Sequence, residues 1–342
     1  MLKMNSNRKM KICCSNNNIS ITKSTSELTF SDITGSLKAR WGKNRMNFKV
    51  NPGRYSLGTP VSNSPVMVTG NYKMSFDALR KELTGINSYI LVLDTKGVNV
   101  WCAASKGTFG TNELINRIKK VNLSQVIAHK NLILPQLSAK GISAHEVQKI
   151  SGFKVVYGPV RAEDIPYFLN NEMKANPEMR KVRFYFLDRL VLSPIEIMGS
   201  LKSSLMLFGI MFLLNLLSIG NFKSIDVIAY LGAILSGCLL VPVFLPWIPG
   251  NAFSLKGGLI GFLWALLIVI LNWRTANVNF LNSAAYLLIL PSVASYYAMN
   301  FTGCSTYTSL SGVVKEMKVA VPLITISSVL GIILLLVSHF AF

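Results

Sequence analysis

The chain contains 342 residues, of which 51% are hydrophobic, and it carries a formal net charge of +20. This length would suit two soluble domains, but the apolar residues are concentrated in the second part of the chain and the charged residues in the first. The five cysteines contain no even-numbered set with useful spacing, which argues against a secreted disulfide framework and fits a reducing compartment. The opening segment MLKMNSNRKMKICC lacks the apolar stretch of a cleavable signal peptide.

Residues 1–60 are predicted to form a basic, flexible tail that approaches the first domain. The segment is polar, rich in Asn and Ser, and ends near the Pro- and Gly-containing stretch NPGRYSLGTPVSNSP. Its charge alone would suit nucleic-acid binding, but no helix-turn-helix, zinc-finger or aromatic RNP pattern accompanies it. We therefore expect no nucleic-acid partner and expect the tail to lie near anionic membrane lipid.

Residues 61–180 are predicted to form an α/β domain with a parallel, Rossmann-like sheet. Apolar runs bounded by turn residues alternate here with amphipathic segments, as in parallel sheets with crossover helices. We expect helices at 76–83, 111–121, 142–150 (capped by Ser143) and from 161 with a break at Pro166, and strands at 88–94, 125–129, 131–137 and 153–160. The segment 97–100 alternates like a strand and leads into a turn. Ligands of such sheets bind beyond the carboxyl ends of the strands, so the following stretch, GVNVWCAASKGTFGT (97–111), is a candidate binding segment.

Residues 181–202 are predicted to be a basic juxtamembrane linker, and 203–342 an all-α transmembrane domain of five helices. Long stretches there lack Lys, Arg, Asp and Glu, and about 20 apolar residues span a bilayer. We expect spans at 203–220, 227–245, 256–273, 281–299 and 319–341. The basic residues before the first span, and those of the loops on the same side, predict a cytoplasmic N-terminal domain. A multi-pass protein of the inner (cytoplasmic) membrane, with its C-terminus outside, is the expected localisation.

Cys102 is the residue of the candidate segment with the most distinctive chemistry, and four interpretations compete for it. A buried structural cysteine is the ordinary fate of a free thiol. A phosphate-binding loop is disfavoured because Lys106 precedes Gly107, whereas that motif places the lysine after the glycine. A nucleophilic cysteine would need His129 or His145 nearby, which the sequence does not establish. A single thiolate can also be the axial ligand of a metal held by a macrocycle, although no C-x-x-C-H haem signature occurs here.

The run NVWCA, followed by Lys-Gly-Thr-Phe-Gly, resembles the corrinoid-binding domain of the membrane corrinoid protein family of microbial mercury methylation. That family is itself related to the large subunit of the corrinoid iron–sulfur protein of acetyl-CoA synthesis. The stretches HKNLILPQLSAKGISAHEV (129–147) and SGFKVVYGPVRAEDIP (151–166) look like later strands and loops of the same family, and the resemblance covers roughly 60–175. One departure is Ser105, where the family's usual run has Gly.

The resemblance implies a corrinoid cofactor in the base-off form, with Cys102 as the lower axial ligand of its cobalt. A thiolate is a strong, soft donor, which would favour departure of a methyl group as a carbanion equivalent. Small side chains at Ala103 and Ala104 would let the backbone approach the corrin ring, and Trp101 would pack under it. Glycines permit unusual backbone angles in the following turn. The implied cofactor-binding residues are Asn99, Val100, Trp101, Ala103, Ala104, Lys106, Gly107 and Gly110.

The resemblance further implies a methyltransferase that delivers the methyl group to Hg(II), a soft electrophile, and forms methylmercury. The methyl group would come from a methyl-folate-dependent donor system. Reactivation would need a low-potential electron, for which the family expectation is a ferredoxin-like partner with two [4Fe–4S] clusters, because no cysteine cluster of this chain suits such a centre.

Other interpretations remain open at this point. A corrinoid methyl carrier of acetyl-CoA-type metabolism would share the fold but use another acceptor, and a membrane sensor or transporter would use the α/β domain for binding alone. The remaining cysteines are expected to be incidental in the tail (Cys13 and Cys14), packed in a span (Cys238) or in a polar loop (Cys304). We expect His129 and His145 to be structural.

Overall fold

The computed structural model describes residues 21–273, 279–304 and 310–341. These residues divide into two compact units. The α/β unit comprises the described residues up to Ala39 together with Lys43–Val182, and the helical unit comprises Arg40–Gly42 and the described residues from Arg183 onward. The predicted class, an α/β domain followed by a helical region, is confirmed.

The α/β unit is built on a sheet of six strands in the order β1-β2-β4-β3-β5-β6 within the described residues. Strands β3, β4, β5 and β6 are parallel, β1 is parallel to β2, and β2 joins β4 in the antiparallel sense. The strands are β1 Thr22–Ser24, β2 Gly53–Leu57, β3 Val66–Gly70, β4 Ser88–Leu93, β5 Asn131–Leu134 and β6 Lys154–Tyr157. The antiparallel edge is a difference from the purely parallel sheet expected from sequence.

Helices cover both faces of this sheet. The helices are α1 Phe30–Arg40, α2 Lys73–Glu82, α3 Val100–Ser105, α4 Thr111–Lys120, α5 Ala144–Ser151 and α6 Ile165–Asn170. One core joins Val68 and Leu91 of the sheet to residues of α3, α4 and α5, while the other joins Met67 and Ile90 to α2 and α6. All six residues of β4 are buried, as an apolar strand between two helical layers requires.

Three local predictions are wrong. Residues 21–60 are not a tail, because they supply β1, α1 and β2 to the α/β unit. The segment 97–100 is not strand-like, since Gly97 has a left-handed backbone and Val100 already begins α3. The expected strand at 125–129 is instead the end of a 3-10 turn and a loop. The first error arose because the segment's stabilising partners lie far away in sequence.

The helical unit contains α7 Phe186–Leu190, α8 Ser193–Leu216, α9 Ser224–Leu235, α10 Val241–Phe244, α11 Phe253–Trp273, α12 Phe280–Asn300 and α13 Leu310–Ala341. Within the described residues, four helical stretches are long and apolar enough to cross a membrane. They are Phe186–Leu216, Ser224–Phe244, Phe253–Trp273 and Ser311–Ser338. The predicted linker at 181–202 is thus largely helical and includes the start of the first stretch.

The predicted count of five spans is not confirmed, because α12 does not reach the hydropathy of the other four. It carries polar side chains such as Asn282, Ser292 and Ser295 and is extensively buried by its neighbours. Its small residues allow this close packing: a Cβ added at Gly261 would lie 2.6 Å from Ala294 Cβ. Small residues at such contacts let helix backbones approach closely, so α12 packs tightly inside the helical unit.

An alternating ion network fixes α1 to α2 in the α/β unit. Asp32 of α1 pairs with Lys73 and Arg80 at 2.7 Å each, and Asp77 pairs with the same two cations at 2.8 and 2.7 Å. Arg80 also donates to the backbone oxygens of Thr25 and Glu27. Burial alone would raise the pKa of Asp32, but hydrogen bonds from Lys73 and Thr29 outweigh it and hold that pKa well below its ordinary value of 3.8.

We predict that Asp32→Asn destabilises the α/β unit by about 3 kcal/mol, because Arg80 and Lys73 lose a largely buried counter-charge. A depressed carboxylate pKa stabilises the fold above the unfolded-state value and loses that contribution as pH falls through the folded-state value. The wild-type unit should therefore weaken as pH falls below about 4, and the variant should show a smaller change there. Denaturant unfolding against pH measures both effects. Glu172→Gln, which breaks the exposed pair with Lys174, is the control and should cost under about 1 kcal/mol.

Candidate functional site

A cavity of about 300 Å³ lies at the carboxyl ends of the parallel strands of the α/β unit. The ends of β3 and β5, the segment after β6 and the start of α3 all contribute to its wall. Its polar or aromatic lining residues are Thr69, Ser75, Asn99 and Trp101, and its apolar ones include Met67, Leu79, Val100, Ile133, Pro135, Pro159 and Ile165. This is the edge at which open α/β sheets bind ligands, so the position expected for the 97–111 segment agrees with the structure.

Cys102 lies in the first turn of α3 rather than in a loop. The Asn99 side chain caps this helix and accepts a hydrogen bond from the Cys102 N–H at 2.8 Å, which is the ordinary function of an N-cap. Asn99, Val100 and Trp101 line the cavity, while Cys102 follows them directly and is half-buried as a free thiol. The capped turn therefore gives Cys102 a fixed backbone directly after three lining residues, although Cys102 itself does not line the cavity.

Ala103 and Ala104 face the core rather than the cavity. Both are buried among the residues of the sheet face that α3, α4 and α5 cover. A Cβ at Gly141 would lie 2.9 Å from Ala104 Cα and 2.4 Å from Phe109 O, so backbone segments meet closely behind α3. Small side chains were expected here to let a corrin ring approach the backbone. In this structure, the small Ala103 and Ala104 instead allow the helix that carries Cys102 to pack against the core.

The turn after α3 combines exposed and buried residues. Lys106 ends the helix and is exposed, and Gly107 has a left-handed backbone, with φ of +77°, that suits glycine. Gly110 is buried, and a Cβ there would lie 2.8 Å from Gly107 O. Ser105, the departure from the family pattern, lies within helical backbone, so this turn does not require glycine at that position.

Asn71 is a site-shaping residue that sequence reasoning missed. Its side-chain oxygen accepts hydrogen bonds from the N–H groups of Thr95 and Gly97 at 3.1 and 2.9 Å. Its amide donates to Asp94 at 3.0 Å. The Thr95 hydroxyl lies within hydrogen-bonding distance of both Asn71 Oδ1 and Val98 O, at 2.9 and 2.7 Å. Asn71, buried directly after β3, thus fixes the loop between β4 and α3. The one sign of this role in the sequence is a polar Asn directly after an apolar strand.

The surroundings of the two histidines of the α/β unit do not support a catalytic pair with Cys102. His129 accepts at Nδ1 from the Asn131 N–H, and its Nε2 lies 2.9 Å from Ser64 O, so backbone groups occupy both nitrogens. His145 is exposed in the first turn of α5. Across the described ranges, no group of three His, Cys, Asp or Glu residues is arranged to hold a metal ion.

The remaining cysteines lie elsewhere. Cys238 is fully buried in the helical unit beside Ile234 and Tyr297, in a π-helical turn at Ser236–Leu240, which agrees with the expected packing role. Cys13 and Cys14 lie outside the described residues. Cys304 ends a short 3-10 helix that begins at Phe301.

The α/β unit is of the open-sheet class and has a cavity at the edge where such sheets bind ligands. The chain continues into a helical unit in which four described helical stretches are long and apolar enough to cross a membrane. Residues 38–169 match the CdhD family, described as the CO dehydrogenase/acetyl-CoA synthase delta subunit. This match includes the cavity, Asn71 and Cys102 but only about two fifths of the chain.

Curated relatives carry names from acetyl-CoA metabolism as well, although not of the delta subunit. Over 128 residues the chain is 30% identical to the acetyl-CoA decarbonylase/synthase complex subunit gamma of Methanopyrus kandleri, covering 36% of this chain and 27% of that one. It is 31% identical over 114 residues to the corrinoid/iron-sulfur protein large subunit of Moorella thermoacetica, covering 33% and 25%. The chain spans about a quarter of the length of these relatives. The predicted relation to the corrinoid iron–sulfur large subunit is thereby confirmed for the α/β unit.

We predict that Asn71→Ala loosens the loop that leads to Cys102. The N–H groups of Thr95 and Gly97 would remain buried without an acceptor, which costs about 2–3 kcal/mol. Hydrogen exchange of the 94–102 amides should accelerate strongly in the full chain. Asn87→Ala is the matched control, since Asn87 accepts one N–H, from Thr59, at an exposed site. Equal exchange in the two variants would contradict the role given to Asn71.

Proposed function

We propose that the chain is a membrane-anchored corrinoid methyl carrier whose α/β unit binds the cofactor at the carboxyl edge of its sheet. The observation that carries this proposal is the coincidence of three features in one matched segment: the edge cavity, the capped turn bearing Cys102, and similarity to a relative named as a corrinoid/iron-sulfur protein. The proposed localisation is the inner (cytoplasmic) membrane, with the α/β unit on the cytoplasmic side.

The residues present fit a corrinoid. The cavity is at the lower end of the range of about 300–1,000 Å³ typical of small-molecule pockets, so a cofactor with a flat macrocycle would fill it in part and extend beyond its mouth. Asn99, Val100 and Trp101 would contact the cofactor from the start of α3. The chemistry supplied by a bound corrinoid is methyl transfer at its cobalt centre.

Cys102 is proposed to supply the lower axial ligand, with the cofactor in its base-off form. The thiol is half-buried and free, and a soft thiolate suits a metal that a macrocycle already holds. Asn99 contributes by fixing the Cys102 backbone, and Asn71 by fixing the loop before it. The buried Ala103 and Ala104 hold α3 against the core and so fix the helix that carries Cys102.

The proposed methyl acceptor is Hg(II) and the product methylmercury. This part rests on the resemblance carried by the NVWCA run and on the donor chemistry of a thiolate, which favours transfer to a soft electrophile. The proposed partners are a methyl-folate-dependent donor system and a ferredoxin-like protein with two [4Fe–4S] clusters. A second acceptor, of the acetyl-CoA-type pathway, is favoured by the names of the relatives, and the two proposals share the cofactor site.

We predict that Cys102→Ala reduces methylmercury formation to background in membranes supplied with Hg(II), because the axial thiolate is lost. Cys102→Thr, which keeps similar bulk, should fail equally. Cys238→Ala removes a thiol from the helical unit and should retain activity. Production of methylmercury is measured directly, and undiminished output from either Cys102 variant would disprove the thiolate mechanism.

The visible spectrum of the purified chain after incubation with cobalamin tests corrinoid binding separately from ligation by Cys102. A corrinoid spectrum that changes in Cys102→Ala supports both the cofactor and its ligand. A corrinoid-loaded protein that methylates an acetyl-CoA-pathway acceptor but not Hg(II) would favour the second acceptor. A chain that takes up no cobalamin would disprove both carrier proposals.

A further inference from the structure

Helix α1 presents an apolar side to solvent. Phe30 is 81% exposed, and Ile33, Leu37 and Trp41 are each about half exposed. Residues three and four apart share one side of an α-helix, so these four residues, the last directly after the helix end, form a continuous stripe. We call them the α1 stripe. Four large, exposed apolar side chains in a row are unusual for a surface that faces only water.

The opposite side of α1 is already occupied by the α/β unit. Asp32 pairs with Lys73 and Arg80, Ala39 is fully buried, and a Cβ at Gly35 would lie 2.6 Å from the Phe48 ring. The polar and small residues of the helix therefore face its own unit, while the apolar ones face away. This arrangement is the reverse of an ordinary surface helix, so the stripe needs a separate apolar surrounding.

Basic residues flank the stripe. Lys38 and Lys43 are exposed, Arg40 lies in the last turn of the helix, and Arg45 follows shortly after. A helix with aromatic and aliphatic residues on one side and Lys or Arg beside them is the pattern of an interfacial membrane helix. The basic heads can extend toward lipid phosphates while their stems remain on apolar surface.

The chain just beyond α1 belongs to the helical unit. Arg40–Gly42 group with that unit, and Gly42 lies beside Ile195, with 3.8 Å between a Cβ added at Gly42 and Ile195 Cγ1. Ile195 is in the first turn of α8, within the first stretch long and apolar enough to span a membrane. Trp41, the last residue of the stripe, thus belongs to the same unit as the segment where the chain is expected to enter the bilayer.

We propose that the α1 stripe docks on an anionic lipid surface, with Phe30, Ile33, Leu37 and Trp41 entering the interface and the flanking basic residues contacting lipid phosphates. This is a second attachment to the membrane, separate from the helical spans and independent of the cofactor proposal. It would hold the α/β unit against the bilayer instead of leaving it free on its connection.

The test replaces Leu37 by the photo-crosslinking residue p-benzoylphenylalanine in the full chain, reconstituted in nanodiscs of phosphatidylcholine and phosphatidylglycerol. Mass spectrometry then identifies what is captured. The matched control carries the same probe at Ile150 of α5, which is 56% exposed, like Leu37 at 53%, but lies on the other helical layer of the sheet. We expect a lipid adduct several-fold more abundant at Leu37 than at Ile150.

Equal lipid yields at the two positions would overturn the proposal. Capture of residues 1–20, of a second copy or of the disc scaffold protein in place of lipid would overturn it as well. A further arm adds Lys38→Glu and Lys43→Glu to the Leu37 probe. On anionic discs the lipid adduct should fall several-fold, by up to about fivefold for each basic residue, with little change on pure phosphatidylcholine. An unchanged yield on anionic discs would overturn the role of charge.

Discussion

The amide of Asn71 is the constraint on which the site depends. The loop between β4 and α3 contains two successive left-handed residues, Lys96 and Gly97, a conformation that costs energy for a lysine. Hydrogen bonds from this loop to the buried Asn71 oxygen compensate that cost. They also hold the loop that leads to Asn99, which caps α3. A residue at the end of a neighbouring strand, β3, therefore fixes the backbone that leads to Cys102, and this needs no bound ligand.

The sequence predicted those parts of the fold whose signals are local. Strand β4 is a compact apolar run, and α5 has its own capping residue, Ser143, so both were found within a residue or two. The segment 21–60 gave no such signal, because its stability comes from contacts such as that of Arg80 with Thr25, 55 residues away. Absence of charge cannot by itself identify α12 as a span, since a helix packed inside other helices avoids charge for the same reason as one in lipid.

The candidate site could be predicted in outline, because a glycine-containing turn after an apolar strand must lie at the carboxyl edge of a parallel sheet. Its details could not. The alternation at 97–100 concealed the start of α3, and the direction of Ala103 and Ala104 follows only once that helix exists. Asn71 and Thr95 are separated by 24 residues, and a hydrogen bond across such a distance leaves no periodic pattern in the sequence.

The surfaces proposed to carry chemistry and membrane contact are separated along the chain. The matched segment begins at residue 38, so it holds the cavity and Cys102 but omits Phe30, Ile33 and Leu37. Asp32 lies on the inward side of α1, and its pairs with Lys73 and Arg80 prevent the helix from rotating its apolar side toward the sheet. The charged network therefore does more than stabilise the α/β unit. It also keeps the α1 stripe on the outward side of the helix, and if the stripe docks on lipid as proposed, these ion pairs would help to orient the whole unit on the membrane.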